Sequence, residues 1–196
     1  MKIKLTCNKI TTLDIVLLIY FVSIFLQISL IHYICMAYFL ICLVKDLFYK
    51  GIGRVSFYVA WITAFVTYTL MSAFWSNYFF DALNNSKGMI EFIIVGSYLY
   101  SYYMRTDNID KVLLMFVIAG LIFAFVLLIQ VPVSQWGGRL ANANYAANAN
   151  ATKLMESSLC AIGLYKIKNS RLIYLGIWGL FFVFIILTGS RTMLVG

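Results

Sequence analysis

The segment from Thr11 to Val44 contains one charged side chain, Asp14, in an otherwise apolar and aromatic run. A helix needs about 20 apolar residues to cross about 30 Å of hydrocarbon, so this run is too long for one crossing and long enough for two. Its most polar stretch, Gln27 to His32, predicts a tight turn. The whole chain is 63% hydrophobic and 11% charged, against about 25% charged in soluble domains. The sequence therefore predicts an all-α, polytopic transmembrane helix bundle.

Charged and turn-forming residues divide the chain into about seven expected spans within one transmembrane domain, 1–196. The spans are expected at 11–27, 29–44, 55–78, 88–104, 112–131, 143–165 and 172–188. Short loops are expected at Asp81–Lys87, Arg105–Lys111 and Lys166–Arg171. The last residues, Thr192–Gly196, resemble the start of a further apolar helix, so we expect the chain to be truncated at its C-terminus.

The basic residues predict the orientation. With the N-terminus in the cytoplasm, most of the 15 basic residues lie on the inner side, as the positive-inside rule requires. These inner residues are Lys2, Lys4, Lys9, Lys45, Lys50, Arg54, Arg105, Lys111, Lys166, Lys168 and Arg171. If Thr11 to Val44 formed a single span, every later loop would lie on the other side of the membrane. The basic cluster Lys166–Arg171 would then lie outside.

Other functional classes are disfavoured. The net charge of +8 is spread through short gaps between apolar runs and does not form a basic face, so no nucleic-acid partner is expected. The cysteines are Cys7, Cys35, Cys42 and Cys160. They form no CxxC pair and have no histidine placed to complete a metal site, so no metal site is expected. His32, the single histidine, is interpreted as a boundary residue.

Charged side chains outside the basic loops are the candidates for function, because a charge in the bilayer needs a partner or a hydrated site. Lys153 and Glu156 are three residues apart and share a helix face, so they form either an internal ion pair or part of a polar pocket. Arg139 and Arg191 are expected at the outer boundary, as interfacial anchors or as phosphate ligands. Asp14 is interpreted as structural.

Two segments carry a family resemblance. Gly138–Ala147, with Arg139 followed by Asn142 and Asn144, resembles the outer-loop motif of the bacterial O-antigen ligase and O-antigen polymerase superfamily. Leu187-Thr188-Gly189-Ser190-Arg191 resembles that family's Thr-x-Ser-Arg at the end of a later helix. One position departs from the pattern, because Ala143 replaces the family's usual proline, which leaves the bend before Asn144 in doubt.

The resemblance implies a glycosyltransferase of the bacterial inner membrane, acting on its outer side. Such enzymes move a glycan from undecaprenyl diphosphate to a lipid or glycan acceptor, without a nucleotide sugar, cofactor or metal. By match, Arg139 and Arg191 would face the diphosphate, with Asn142, Asn144, Lys153, Glu156 and Ser190 as a supporting polar pocket. The family's catalytic outer loop, which bears a histidine, comes later in the chain, so no catalytic residue is identified and the 196-residue product is expected to be inactive.

Two alternatives stay open. A multipass transporter or lipid-flipping protein would use Lys153 and Glu156 as a polar site in the middle of the membrane. A non-catalytic membrane remnant would use none of these residues. The sequence leaves the sugar, the acceptor and the choice between ligase and polymerase undetermined.

Overall fold

The computed structural model describes residues 11–50, 57–76, 78–85, 87–106, 109–131, 147–168 and 172–188. Nearly all of these residues are helical, which confirms the all-α class for this part of the chain. The helices are α1 (Thr12–Leu26), α2 (Ser29–Lys50), α3 (Phe57–Ser72), α4 (Phe79–Asn85), α5 (Lys87–Thr106), α6 (Ile109–Gln130), α7 (Ala147–Ile167) and α8 (Leu172–Leu187), with a 3-10 turn at Ala73–Trp75 after α3.

The start of α1 is fixed by a capping box. The Thr11 backbone N–H donates to Asp14 Oδ2 at 2.8 Å, and the Asp14 N–H donates to Thr11 Oγ1 at 3.3 Å. Both donors belong to the first turn of the helix, which has no carbonyl partners for them within the helix. Asp14 is buried, and its charge also complements the positive end of the helix dipole. The structural role expected for Asp14 is confirmed.

The predicted turn after α1 is confirmed at Gln27. Its N–H donates to the Ile24 carbonyl, and the next N–H, of Ile28, donates to the Ser23 carbonyl. This is the hydrogen-bond pattern of a Schellman motif, in which the residue after the helix is left-handed. Gln27 has φ 53° and ψ 40°. Because α2 begins at Ser29, the turn is shorter than expected and His32 is already helical.

One expected loop is wrong. Asp81–Lys87 was expected to be a loop, but α4 occupies Phe79–Asn85 and α5 begins at Lys87. The ring of Phe79 contacts that of Phe74 in the 3-10 turn, with centroids 5.4 Å apart. This aromatic contact joins the short helix to the preceding turn.

One described helix, α6, is both long and apolar enough to cross a membrane by itself. Its 22 residues extend about 33 Å. Within the described ranges, Thr12–Leu26, Ser29–Lys45 and Leu172–Leu187 are apolar but shorter. The outer surface of α8 is also apolar, with large exposed side chains along its length, a surface that water covers poorly and lipid covers well. These side chains are Leu172, Ile173, Leu175, Leu180, Phe182, Val183 and Ile186.

The helices form two compact units. The first unit contains α1 with the first residues of α2 as far as His32, and α6, α7 and α8. The second unit contains the rest of α2 from Tyr33, with α3, α4 and α5. In the second unit, α3 packs on α5, and the buried Phe39 of α2 contacts Tyr98 of α5 with ring centroids 5.5 Å apart.

The first unit is organised around a close approach of α6, α7 and α8. A Cβ added to Gly120 of α6 would lie 2.6 Å from Ser157 Cβ of α7 and 3.1 Å from the Phe181 ring of α8. Real Cβ atoms do not come so close to a neighbouring Cβ, so glycine is required here. Small residues at helix contacts let backbones approach closely, which is how helices associate where lipid surrounds them.

Two contacts along α6 show that α1 runs parallel to it. Near the start of each helix, Lys111 Nζ lies 3.4 Å from Asp14 Oδ2. Further along both helices, the ring of Phe25, in the last turn of α1, lies 5.7 Å from that of Phe123, about two-thirds of the way along α6.

The other two helices have opposite directions. α7 is antiparallel to α6, because Ser157 meets Gly120 while the later Gly163 of α7 lies near the earlier Leu113 of α6. α8 is parallel to α6, because Phe181 reaches Gly120, and α8 begins beside Lys168, which pairs with Asp110 at the start of α6.

Substituting Gly120→Ala tests this packing. We expect a loss of about 1–3 kcal/mol of stability, because the methyl group has no space between Ser157 and Phe181. Thermal unfolding of the purified protein in detergent measures the change. Gly179→Ala in α8 is the matched control, since nothing lies within 4 Å of its added Cβ.

A second variant checks the cause. Ser157→Gly removes the side chain that the new methyl group meets, so Gly120→Ala with Ser157→Gly should recover stability relative to Gly120→Ala alone. Equal stability of Gly120→Ala and Gly179→Ala would contradict the close approach.

Candidate functional site

The first unit has two chemically different ends. One end, here called the charged end, holds the starts of α1 and α6 and the end of α7, with two ion pairs. Lys111 Nζ lies 3.4 Å from Asp14 Oδ2, and Lys168 Nζ lies 2.9 Å from Asp110 Oδ2. Both pairs join residues far apart in sequence, so they connect α1 with α6 and α6 with the end of α7.

The other end, here called the opposite end, holds the ends of α1, α6 and α8 and the start of α7. Residues 132–146, which include Arg139, join α6 to α7 at this end. Residues 189–196, which include Arg191, follow α8 at this end. The helix packing therefore attaches both motif-bearing segments to one end of the unit.

Lys153 of α7 lies near the opposite end and points into the unit. Its Nζ donates a hydrogen bond of 2.9 Å to the Phe25 carbonyl in the last turn of α1. The same Nζ lies 5.1 Å from the centre of the Phe123 ring of α6. The carbonyls of a last helical turn lack partners within the helix and carry its negative dipole, so a cation there is favourable on both grounds.

The neighbourhood of Lys153 is polar as well as buried. Asn150 and Ser157, on either side of it along α7, are fully buried, and so is Thr188 after α8. Ser157 Oγ donates to the Lys153 carbonyl at 2.9 Å, and Thr188 Oγ1 donates to the Ile185 carbonyl at 2.6 Å.

Asn150 and Thr188 lie at the same level of the unit. Ser157 and Phe181 share a level on the antiparallel α7 and α8, and Asn150 and Thr188 each lie about 10 Å further toward the opposite end. Buried polar side chains thus lie along α7 and at the end of α8, near the opposite end of the unit.

A second row of polar residues on α7 lies at the surface of the first unit. Asn148 and Glu156 are exposed, Thr152 is half-buried, and the three are spaced four residues apart. Thr152 Oγ1 donates to the Asn148 carbonyl at 2.9 Å. Helical spacing of four keeps them on one face, while Lys153 turns toward α1 and α6. Lys153 and Glu156, which were expected to pair or share a pocket, interact electrostatically, while the Lys153 ammonium also bonds to the end of α1 and Glu156 is exposed.

Two of the predicted site residues, Lys153 and Glu156, fall within the described residues. The other five, Arg139, Asn142, Asn144, Ser190 and Arg191, lie outside them.

Sequence reasoning missed Asn150 and Thr188 as buried polar neighbours, although Asn150 is three residues before Lys153 and Thr188 belongs to the Thr-x-Ser-Arg segment. It could not find the Phe25 carbonyl, because a main-chain atom leaves no trace in the sequence.

Comparisons with protein-family models, with curated proteins and with solved structures give no match to this chain. The opposite end contains one partly buried ammonium group, that of Lys153, and several buried polar side chains. The two arginine-bearing segments are joined to the helices at this end.

Lys153→Met tests the contact between α7 and α1. Methionine keeps much of the aliphatic side chain but leaves the Phe25 carbonyl without its charged donor, so we expect a loss of about 1–2 kcal/mol of stability. Thermal unfolding in detergent measures the change, with Lys166→Met as the control because Lys166 is exposed on the same helix. Greater stability of Lys153→Met would mean that desolvation of the ammonium group outweighs its hydrogen bond.

Proposed function

We propose that the chain belongs to a polytopic glycosyltransferase of the bacterial inner membrane, similar to O-antigen ligases and polymerases. Its substrate is a glycan on undecaprenyl diphosphate, which the enzyme transfers to a lipid or glycan acceptor on the periplasmic side. The observation that carries the proposal is the attachment of the Arg139 and Arg191 segments to one end of the first unit.

The multipass topology is supported by the parallel direction of α1 and α6. If both cross the membrane, an odd number of crossings must separate them. Three crossings by α2, α3 and α5 meet this requirement, whereas merging α1 and α2 into one span would leave two. The charged end then faces the cytoplasm, where positively charged loops are retained, and the opposite end faces the periplasm.

The diphosphate assignment rests on charge and geometry. Guanidinium groups bind phosphate through paired hydrogen bonds and stay protonated at any relevant pH. Glycan transfer from a lipid diphosphate releases a diphosphate, and cations placed near it stabilise its developing charge where water is scarce. Lys153 lies about 9 Å below the start of α7, so it adds positive potential beneath the same end.

The transporter alternative is less well supported by the arrangement of α7. It needs Lys153 and Glu156 together at one polar site. In the first unit the Lys153 ammonium is bonded to the end of α1, and Glu156, which interacts with it electrostatically, is exposed. A remnant without function remains the second alternative, and a direct binding measurement separates it from the proposal.

Reporter fusions test the topology. A fusion after Ser170, between α7 and α8, should report the cytoplasm, and a fusion after Gln135, between α6 and α7, should report the periplasm. The physical reason is that α7 joins the two ends of the first unit in one crossing. Periplasmic activity of the Ser170 fusion would overturn the orientation.

Arginine substitutions test the binding of the lipid-linked diphosphate. In nanodiscs, Arg139→Ala and Arg191→Ala should each weaken binding of undecaprenyl diphosphate by about tenfold or more, because each removes a charge-assisted contact. Native mass spectrometry of the whole chain with titrated lipid measures the affinity.

Arg171→Ala is the matched control. Arg171 immediately precedes α8 at the charged end, so its loss should change the affinity by less than about twofold if the site lies at the other end. Equal losses from all three substitutions would indicate general electrostatic attraction. Unchanged affinity in Arg139→Ala and Arg191→Ala would refute the diphosphate site.

A further inference from the structure

The connection between α3 and α5 exposes a group of aromatic side chains. Phe74 and Trp75 belong to the 3-10 turn, and Tyr78 and Phe80 lie in or beside α4. Their exposed fractions are 70%, 76%, 74% and 81%, which are among the largest of the described apolar residues. We call these four residues the aromatic corner.

Hydrogen bonds and ring contacts fix the backbone of the aromatic corner. Ala73, which opens the 3-10 turn, is buried and anchors it to the second unit. The Ser76 N–H donates to the Ala73 carbonyl at 3.1 Å, and Ser76 Oγ accepts from the Tyr78 N–H at 3.1 Å. Phe79 contacts Phe74 and Phe80, with centroids 5.4 Å apart in both pairs. The backbone is thus held so that four rings point away from the unit.

The surface of α3 leads directly into this corner. Exposed apolar side chains at Trp61, Phe65, Tyr68 and Met71 follow helical spacing along one side of α3. On the same helix, exposed hydroxyl groups bond to carbonyls of their own helix, as from Thr67 to Thr63. Such internal bonding is what a hydroxyl needs where water is absent. This side of α3 therefore has the chemistry of a lipid-facing surface.

Length places the corner at the edge of that surface. The 16 residues of α3 extend about 24 Å, and the 3 residues of the 3-10 turn add about 6 Å. The sum matches the thickness of the hydrocarbon core, about 30 Å. Tryptophan and tyrosine favour this boundary, because an apolar ring can sit beside the acyl chains while its polar atom reaches the headgroups.

We infer that the aromatic corner is a membrane-interface anchor, with α4 lying in the plane of the lipid headgroups. Phe80 enters the acyl boundary, while Asp81, about 100° further round α4, stays in water. The occupant of this exposed surface is the phospholipid of the leaflet. The inference goes beyond the transferase proposal and depends only on the chain being in a bilayer.

Depth-dependent fluorescence quenching tests the anchor. The whole chain is reconstituted in phosphatidylcholine vesicles as single-tryptophan variants, each keeping one of Trp61, Trp75 and Trp178, with the other tryptophans changed to phenylalanine. The lipids carry bromine either near the headgroup end of the acyl chains or near their ends. Trp75 should be quenched at least about twofold more by the shallow bromines, because it lies at the boundary.

Trp178 is the internal control. It lies near the middle of α8, so the deep bromines should quench it more than the shallow ones. A second probe, Phe80→Trp in a chain without other tryptophans, should repeat the shallow pattern and guards against a folding defect in the Trp75 variant.

Each outcome has a distinct meaning. Trp75 quenched by neither lipid, while Trp178 is quenched by the deep one, would place the corner in water or under protein and overturn the anchor alone. Deeper quenching of Trp75 than of Trp178 would overturn it too. Absence of quenching at all three positions would overturn both the anchor and the proposed topology. None of these outcomes depends on whether the protein transfers a glycan.

Discussion

The close approach at Gly120 is the contact on which the first unit depends. Ser157 and the Phe181 ring meet at the place where a Cβ would stand, so three helices converge on a position without a side chain. Close backbone packing of this kind is how helices associate where lipid surrounds them. Together with the contact of Gly163 with Leu113 and the ion pair of Lys168 with Asp110, it shows that α7 is antiparallel and α8 parallel to α6. Those directions in turn bring the ends of α6 and α8 and the start of α7 together.

Around this contact the polar groups of α7 are divided between two environments. Lys153, Asn150 and Ser157 face the packed interior, where Lys153 completes the carbonyl end of α1. Glu156 and Asn148 face outward from the unit. Charged groups on a helix within a bilayer need a partner or a hydrated space. Lys153 and Ser157, which face the interior, have hydrogen-bond partners within the unit. This arrangement is consistent with α7 supporting a site near its start.

Several features of the chain were readable from residue order alone. The helical class, the turn at Gln27 and the structural role of Asp14 follow from local signals: an overlong apolar run, its most polar point and a capping residue. The connection after α3 was misread, because Asp81 and the asparagines near it resemble a loop. In the structure this segment is a short helix whose Phe79 ring contacts Phe74 in the preceding turn, and composition does not show such contacts. The span limits and the roles of Arg139 and Arg191 stay predictions.

By itself, the sequence determined that the chain is helical and where its charges fall, because composition and the spacing of charged residues act locally along the chain. It also identified Lys153 as a residue needing an explanation. Only the tertiary structure decided that Lys153 bonds to the end of α1, since the acceptor is a main-chain oxygen 128 residues away in sequence. It likewise decided that the segments bearing Arg139 and Arg191 are joined to helix ends on one side of the unit. Helix direction follows from contacts between helices, such as those of Gly120 and Lys168, and residue order does not show these contacts.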